Sequence, residues 1–247
     1  MVLGGLDMFQ GNFRLNAGSE PFSDPAVRRV LWKLVDQQVI LEAIGIPPEF
    51  RVNRCVSFWM CGTPLETAAG SEGAGFSLEA ARAELKATGY KGEPVVFMEL
   101  PASTTSMPPA QVMVDAMRKV GFTVTEQAVD WGTLLQRRAK KEGWGMFAVY
   151  SNGADMASPL THFYVASNCA DYPGWSCDAR VTALLGRFAR AETDQERKAI
   201  AAEIQGDVYE TVPSVMWGQF SVPTGYRETL GNLIQSSFPM FWEVEKK

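Results

Sequence analysis

The stretch YSNGADMASP, residues 150–159, places one charged side chain among small residues directly after the apolar run Met146–Tyr150. That side chain is Asp155. An ammonium group that is removed from water needs a carboxylate in the same low-dielectric surroundings, so Asp155 is a candidate ligand contact. The alternative interpretation is a solvated aspartate on a loop. Small neighbours would let a ligand approach the main chain, and we predict three further ligand-binding residues on this basis. They are Asn152, Gly153 and Ala154.

The four cysteines occur as two close pairs, in CVSFWMC and in CADYPGWSC. Zinc ligands usually come as tighter pairs supported by histidine, and this chain has one histidine, so we predict no metal site. The spacing favours two local disulfides, Cys55–Cys61 and Cys169–Cys177, which would place the chain in an oxidising compartment. Four free thiols in a cytosolic protein are the alternative.

Several kinds of chemistry lack the residues that they need. His162 is the only histidine and no serine lies in a G-x-S-x-G elbow, so a Ser–His mechanism is unsupported and we predict no enzyme. Neither a phosphate-binding GxxxxGK[ST] loop nor a GxGxxG loop after a strand is present, and we predict no cofactor. The net charge of −5 excludes a nucleic-acid partner, and no apolar run approaches the roughly 18 residues of a membrane span.

Capping residues and periodicity predict the elements that must position Asp155. Helices are expected from Asp24 and Pro25 onwards, at 36–45, from Ser77 to Gly89, and at 109–120, 131–141, 178–190 and about 193–209. Strands are expected at 95–100, 122–129, 146–150 and 213–220, with a short strand in the final FWEVEKK. Residues 50–76 are predicted to be an irregular loop.

The alternation of strand and helix between residues 95 and 150 is typical of a sheet with crossover helices on its faces. In such sheets ligands bind beyond the carboxyl ends of the strands, where Asp155 falls. Trp175, inside a cysteine-bounded loop, is predicted to be exposed at the rim of the same cleft. Trp131 and Trp217 are predicted to be packing residues.

Four segments resemble, in order and spacing, the conserved segments of one family. The first, LNAGSEPFSDPAVRRVLWKLVDQQVI, holds the family pattern at Asn16, Pro21, Phe22, Asp24, Val27, Arg28, Asp36 and Ile40. The others are AARAELKATGY, MRKVGFTVTEQAVDW and AVYSNGADMASP. The family is solute-binding protein family 5, the peptide, oligopeptide and nickel-type receptors of bacterial ABC importers.

The resemblance implies an α/β fold, a periplasmic-binding-protein-like lobe of type II, cluster C, with a mixed sheet and helices on both faces. It implies two lobes that close over a small peptide or other small solute and then dock on the membrane subunits of an ABC permease. In peptide-binding members an acid at the position of Asp155 meets the ammonium group of the ligand. The sequence departs from the family where Asn152 replaces a tryptophan and Met156-Ala157-Ser158-Pro159 replaces Tyr-Pro-Asp-Pro, changes that remove an aromatic wall and a second acid.

Family members are about twice as long as this chain. The resemblance therefore implies a fragment with residues 1–230 as the second lobe and 231–247 as a C-terminal segment returning towards a missing N-terminal lobe. The opening MVLGGLDMFQ has no signal-peptide pattern, and we expect the signal of a periplasmic protein to lie with the missing half. The alternatives are the effector-sensing domain of a regulator, which would keep four free thiols, and a hydrolase that depends on His162.

Overall fold

A computed structural model describes residues 5–234, 236 and 240–247 of the chain. Positions 1–4, 235 and 237–239, which fall within the predicted segments 1–230 and 231–247, lie outside the described residues. The strands are β1 (Phe9–Leu15), β2 (Arg51–Val52), β3 (Val95–Glu99), β4 (Val124–Ala128), β5 (Met146–Asn152), β6 (Ser214–Phe220), β7 (Leu230–Gly231) and β8 (Glu245–Lys246). The α-helices are α1 (Pro25–Val30), α2 (Gln37–Ile44), α3 (Leu78–Ala87), α4 (Met107–Val120), α5 (Trp131–Arg138), α6 (Gly153–Met156), α7 (Phe163–Ala166), α8 (Ala179–Arg190) and α9 (Asp194–Thr211).

Six of the strands form one mixed sheet in the order β2-β6-β1-β5-β3-β4. Strand β3 is parallel to β4 and β5, whereas β1 is antiparallel to both β5 and β6. Helices α2 and α4 cover one face, and α7 lies over the other face through Tyr164. The predicted α/β fold with a mixed sheet and helices on both faces is therefore confirmed.

The pairing of the three central strands shows which residues lie together at each end of these strands. Phe9 at the start of β1 pairs with Asn152 at the end of β5 and with Phe220 at the end of β6. We call this the Asn152 edge. At the other end of β1, Leu15 pairs with Met146, and we call this the Leu15 edge. The two edges are separated by roughly 20 Å, at about 3.4 Å per strand residue.

Most helix starts follow from the predicted caps. The side chains of Asp24, Asp36, Ser77, Asp130, Asp178 and Thr193 all accept hydrogen bonds from main-chain N–H groups in the first turn. Gly45 and Gly121 end α2 and α4 in the left-handed conformation, as predicted. Helix α3 ends at Ala87, and its C-cap residue Thr88 is extended, so the helix stops before the predicted terminator Gly89.

Three other predicted boundaries are also corrected. Helix α5 ends at Arg138 instead of residue 141, and residues 50–76, although mostly irregular, contain β2. Strand β5 continues past Tyr150 to Asn152 because β1 remains beside it as a pairing partner. The residues that were expected to form a loop after β5 therefore begin as strand and continue as α6.

Strand β1, the centre of the sheet, was not placed by periodicity. Its sequence FQGNFRL does alternate, but the polar members Gln10, Asn12 and Arg14 are as buried as the apolar ones. They share one face of the strand, because alternate residues point the same way. Phe13 and Leu15 point into the main core on the opposite face. When both faces of a strand are buried and one of them is polar, alternation in the sequence does not separate a core face from a solvent face. Periodicity therefore does not identify such a strand.

Candidate functional site

The turn that carries Asp155 lies at the Asn152 edge, directly after β5. Asn152 is buried, and its side-chain oxygen accepts a hydrogen bond of 2.9 Å from the main-chain N–H of Ala154. The N–H of Gly153 donates to the carbonyl oxygen of Met8, which precedes β1, over 2.7 Å. These two bonds hold the first turn of α6 against both neighbouring strands.

The side chain of Asp155 is exposed at this turn, as is Ala154, while Asn152 and Gly153 are buried beneath them. Asp155 makes no salt bridge among the residues that the structure describes. Its carboxylate oxygens are therefore available to an external donor. The structure brings the predicted residues 152–155 together as one rigid turn with an acid at its surface.

Gly153 is required by its surroundings. A Cβ added there would lie 2.6 Å from the carbonyl oxygen of Met8 and 2.8 Å from the Cε of Met60. Both distances are far below van der Waals contact, so a larger residue would push α6 away from the sheet. Met8, Met60 and Met156 form a separate buried apolar cluster under the turn, which we call the methionine cluster. Only Gly153 of this arrangement was singled out by the sequence, because the cluster joins three distant segments.

Trp175 does not share the site with Asp155. Its ring is half-buried against Trp144, with 6.2 Å between the ring centroids, and lies near Gly18 at the Leu15 edge. Its indole N–H donates to Asp171 over 3.1 Å. The predicted grouping of Trp175 with Asp155 thus spans the full length of β5, roughly 20 Å.

The other two tryptophans, Trp217 and Trp131, differ in burial. Trp217 is fully buried, as predicted, and its indole N–H donates to the carbonyl oxygen of Val149 over 3.1 Å. Trp131 is 52% exposed, so its predicted packing role is wrong. It occupies the first position of α5, a helix that buries Leu134 alone among its residues.

Both predicted disulfides, Cys55–Cys61 and Cys169–Cys177, are present in the structure. The first lies beside the Asn152 edge, since Met60 belongs to the methionine cluster. The second closes the loop that contains Trp175 and lies near the Leu15 edge. The two bridges therefore support opposite ends of the central strands.

The chain from α6 back to the Leu15 edge covers a buried polar row on β1. His162 is fully buried, and its Nε2 lies 3.2 Å from the Oε1 of Gln10. Burial lowers the pKa of His162 to about 3, so the imidazole is neutral at physiological pH. An enclosed ring with so low a pKa is a weak base that an external substrate does not reach in this geometry.

Arg14 is a second buried group on this row. Its guanidinium donates to the carbonyl oxygens of Pro173 and Pro213 and lies over the ring of Tyr164, 4.7 Å from the centroid. Burial lowers the pKa of Arg14 to about 10, which still leaves it charged at neutral pH. The carbonyl oxygens and the aromatic face stabilise the buried charge of Arg14, a role that a carboxylate usually has. Arg14 therefore ties β1 to the loop of the second disulfide.

Glu99 is a further acid near the carboxyl ends of the strands, at the end of β3. It is buried, and burial, followed by the neighbouring charge of Glu126, raises its pKa. Its Oε1 has no hydrogen-bond partner within the described part of the chain. Because the side chain is covered, Glu99 is not placed to meet a ligand directly.

Asp155 does not line either of two shallow hollows in the described part of the chain. One, of about 430 Å³, lies between the start of α2 and the first disulfide loop and includes Trp32, Arg54 and Tyr209 in its lining. The other, of about 460 Å³, includes Lys141, Asp171 and Trp175 beside the second disulfide. The Asp155 turn is therefore an open surface on this chain.

No helix among the described residues is both long and apolar enough to cross a membrane.

Comparison with known proteins places these features in a family. Residues 5–174 match the family model described as bacterial extracellular solute-binding proteins, family 5 Middle. The chain is 30% identical over 249 residues to a probable peptide ABC transporter periplasmic-binding protein of Sinorhizobium fredii, a match that covers 98% of this chain and 46% of that protein.

Solved structures with the same fold have lower sequence identity. A dipeptide binding protein from Pseudoalteromonas sp. SM9913, in complex with Met-Leu, is similar over 100% of this chain and 50% of its own, with a TM-score of 0.77 and 18% identity. The ABC transporter substrate binding protein CtaP from Listeria monocytogenes is similar over 90% of this chain and 45% of its own, with a TM-score of 0.76 and 15% identity. The chain thus spans about half the length of the relatives that it matches.

Proposed function

This chain belongs to family 5 of the bacterial extracellular solute-binding proteins, and on that premise we propose that it is the second lobe of a receptor that captures a small peptide or other amino-bearing solute. The complete receptor would close its two lobes over the solute and deliver it to the membrane subunits of an ABC permease. Its relative in Sinorhizobium fredii is named as a probable peptide-binding component of such a transporter.

The observation that carries the proposal is the exposed carboxylate of Asp155 on a rigid turn at the Asn152 edge. The start of β1 and the end of β6 meet at this same edge. Segments that join this lobe to another would reach it here, which would place Asp155 between the two lobes. Enclosure would then remove the ligand from water, and an ammonium group would require the carboxylate as its partner.

Main-chain groups next to Asp155 complete the proposed contact. Ala154 is exposed and has the smallest side chain that could lie beside the acid, so a ligand can approach the backbone there. Asn152 supports the turn from below through its hydrogen bond to Ala154. We assign Asp155 the charge recognition and residues 152–154 the shaping of the surface around it.

An extracytoplasmic, periplasmic location is consistent with the proposed receptor function. Disulfides persist in oxidising compartments, and all four cysteines of the chain are paired. A cytoplasmic regulator, the main alternative, should instead keep reduced thiols. Titration of thiols in the purified protein without reductant separates the two, since the periplasmic receptor should show none.

Calorimetric titration of the complete binding protein with the dipeptide Met-Leu and with its N-acetylated form tests the role of Asp155. We expect Asp155→Asn to weaken Met-Leu binding at least about ten-fold, because a charge-assisted hydrogen bond becomes a neutral one. Acetylation should weaken binding to the wild type similarly, and the variant should lose little more on acetylation.

Asp171→Asn is the matched control, since Asp171 is an exposed acid near the Leu15 edge that accepts the indole N–H of Trp175. It should bind Met-Leu as the wild type does. Equal affinity of the wild type and Asp155→Asn for Met-Leu would overturn the role of Asp155, and absence of dipeptide binding by the wild type would overturn the peptide as ligand.

A further inference from the structure

The first disulfide closes a loop that lies directly beneath the Asp155 turn. Within this loop Met60 is fully buried and adopts a left-handed backbone conformation, with φ of 66°. Its side chain fills the space left by the absent Cβ of Gly153, as the 2.8 Å separation from a hypothetical Cβ shows. Met60 also belongs to the methionine cluster with Met8, which precedes β1, and Met156, the last residue of α6. The position of the turn therefore depends on where the loop holds Met60.

Four glutamine side chains from four different elements fix the main chain of the same loop. Gln37 of α2 binds both ends of the Cys55 backbone, accepting from its N–H over 2.8 Å and donating to its carbonyl over 2.7 Å. Gln219 of β6 does the same at Cys61, over 2.8 Å and 2.9 Å. The two cysteines are thus anchored independently of each other, and the bridge between them closes the loop around these anchors.

The middle of the loop is fixed in the same way. Gln205 of α9 accepts from the N–H of Phe58 over 2.9 Å, and Gln10 of β1 donates to the carbonyl of Phe58 over 3.0 Å. Side-chain amides replace the regular hydrogen-bond ladder that this irregular segment lacks. The loop is consequently a rigid part of the lobe.

We propose that the Cys55–Cys61 loop is a positioning device for the ligand-binding turn, with Met60 as the positioning residue. This inference rests on the proposed function for its consequence in ligand binding. In this proposal the loop acts through Gly153 and not through contact with the ligand. It fixes Gly153 and hence the direction in which Asp155 presents its carboxylate, so that opening the loop leaves the acid present but poorly placed.

The second disulfide provides a matched control within the same chain. It closes a loop of similar length, but near the Leu15 edge, roughly 20 Å from Asp155 along the strands. A device that acts locally through Met60 should respond to the loss of the first bridge only. A general loss of stability should follow the loss of either bridge.

Hydrogen exchange of the main-chain amides tests the positioning role without any ligand. The double variant Cys55→Ser with Cys61→Ser should exchange at least about ten-fold faster than the wild type at Gly153 and Ala154, whose N–H groups hold the turn. The double variant Cys169→Ser with Cys177→Ser should exchange at the wild-type rate there. Equal effects of the two double variants would overturn the proposal.

A second pair of variants keeps the test decisive, because Phe58 and Trp59 in the same loop are fully buried and its opening can unfold the lobe. Met60→Ala retains the bridge and removes the Met60 side chain from Gly153 and from the methionine cluster, so exchange at Gly153 should rise in the same way. Met60→Leu, of similar volume, should restore the wild-type rate. Wild-type exchange in Met60→Ala would overturn the proposal.

Ligand affinity then links the device to function. In the complete protein, Met60→Ala should weaken binding of Met-Leu about ten-fold and Met60→Leu should not. Fast exchange at Gly153 with unchanged affinity would overturn the link between loop and ligand. Absence of dipeptide binding by the wild type would instead overturn the proposed peptide ligand and leave the exchange result standing.

Discussion

Two buried polar residues, Arg14 of β1 and His162 beside this strand, have a structural role. A histidine and an arginine in one region often indicate catalysis, yet here both are enclosed. His162 lies among aromatic rings and faces Gln10, and Arg14 donates to main-chain carbonyl oxygens. Their hydrogen bonds tie the segment after α6 to the central strand, which is a structural role.

His162 makes a prediction about acid sensitivity. Its folded-state pKa of about 3 lies below the unfolded value of 6.5, so the unfolded chain binds a proton that the native chain does not. The contribution of His162 to stability is therefore fully present above pH 6.5 and is lost as the pH decreases towards 3. The loss should approach about 1.4 kcal/mol per pH unit below pH 6.5.

Two measurements check this prediction. Because the chain has a single histidine, its imidazole NMR signals report on His162 alone and should not shift between pH 5 and pH 8. Denaturant unfolding at pH 6.5 and pH 5 should show a smaller loss of stability in His162→Gln than in the wild type. An imidazole that titrates near pH 6.5 in the folded protein would contradict the burial on which the argument rests.

At the scale of elements, β1 is held in place by its contact with an aromatic ring on β6. A Cβ added to Gly11 would lie 2.2 Å from the ring of Trp217, which is fully buried and stacks on Phe220. The indole cannot move away without losing its hydrogen bond to Val149 of β5. One glycine thus allows three adjacent strands to share a single packing unit.

We therefore expect Gly11→Ala to destabilise the protein by about 2–3 kcal/mol, through overpacking at a site with no free volume. Denaturant unfolding measures the change. Gly89→Ala is the matched control, because a Cβ there meets nothing within 4 Å. A stability change below about 0.5 kcal/mol in Gly11→Ala would refute the packing role of this glycine.

These elements also show where sequence reasoning succeeds and where it cannot. The longer helices were predicted because caps such as Asp24 and terminators such as Gly121 act locally, whereas the four-residue helices α6 and α7 were not predicted. Strand β1 was missed because both of its faces are buried. The separation of Trp175 from Asp155 was missed because it depends on the path of residues 156–175 back across β1, which no local pattern records. The support from Met60 likewise joins distant segments.

At the scale of the whole molecule, the Asn152 edge and the segment that leaves it expose several side chains. Asp155 is exposed there, and the segment that follows β6 exposes Val222 and Tyr226. Further along, Phe241 and Trp242 are also exposed, within the predicted return segment 231–247. Apolar side chains exposed in this way are typical of a surface that another part of a protein covers. These observations support the proposal that a first lobe docks on this side.

The two-lobe proposal has a consequence for the affinity of this chain for its ligand. A solute-binding cleft encloses most of its ligand, and the chain spans 46% of its relative in Sinorhizobium fredii. Under the two-lobe proposal, this chain alone supplies Asp155 and one wall, while the ordering cost of binding is undiminished. We expect it to bind Met-Leu at least about a hundred-fold more weakly than the complete protein, as calorimetric titration of both would measure. Comparable affinity for the dipeptide in the two proteins would mean that the site is complete within this chain, and the two-lobe proposal would then be wrong.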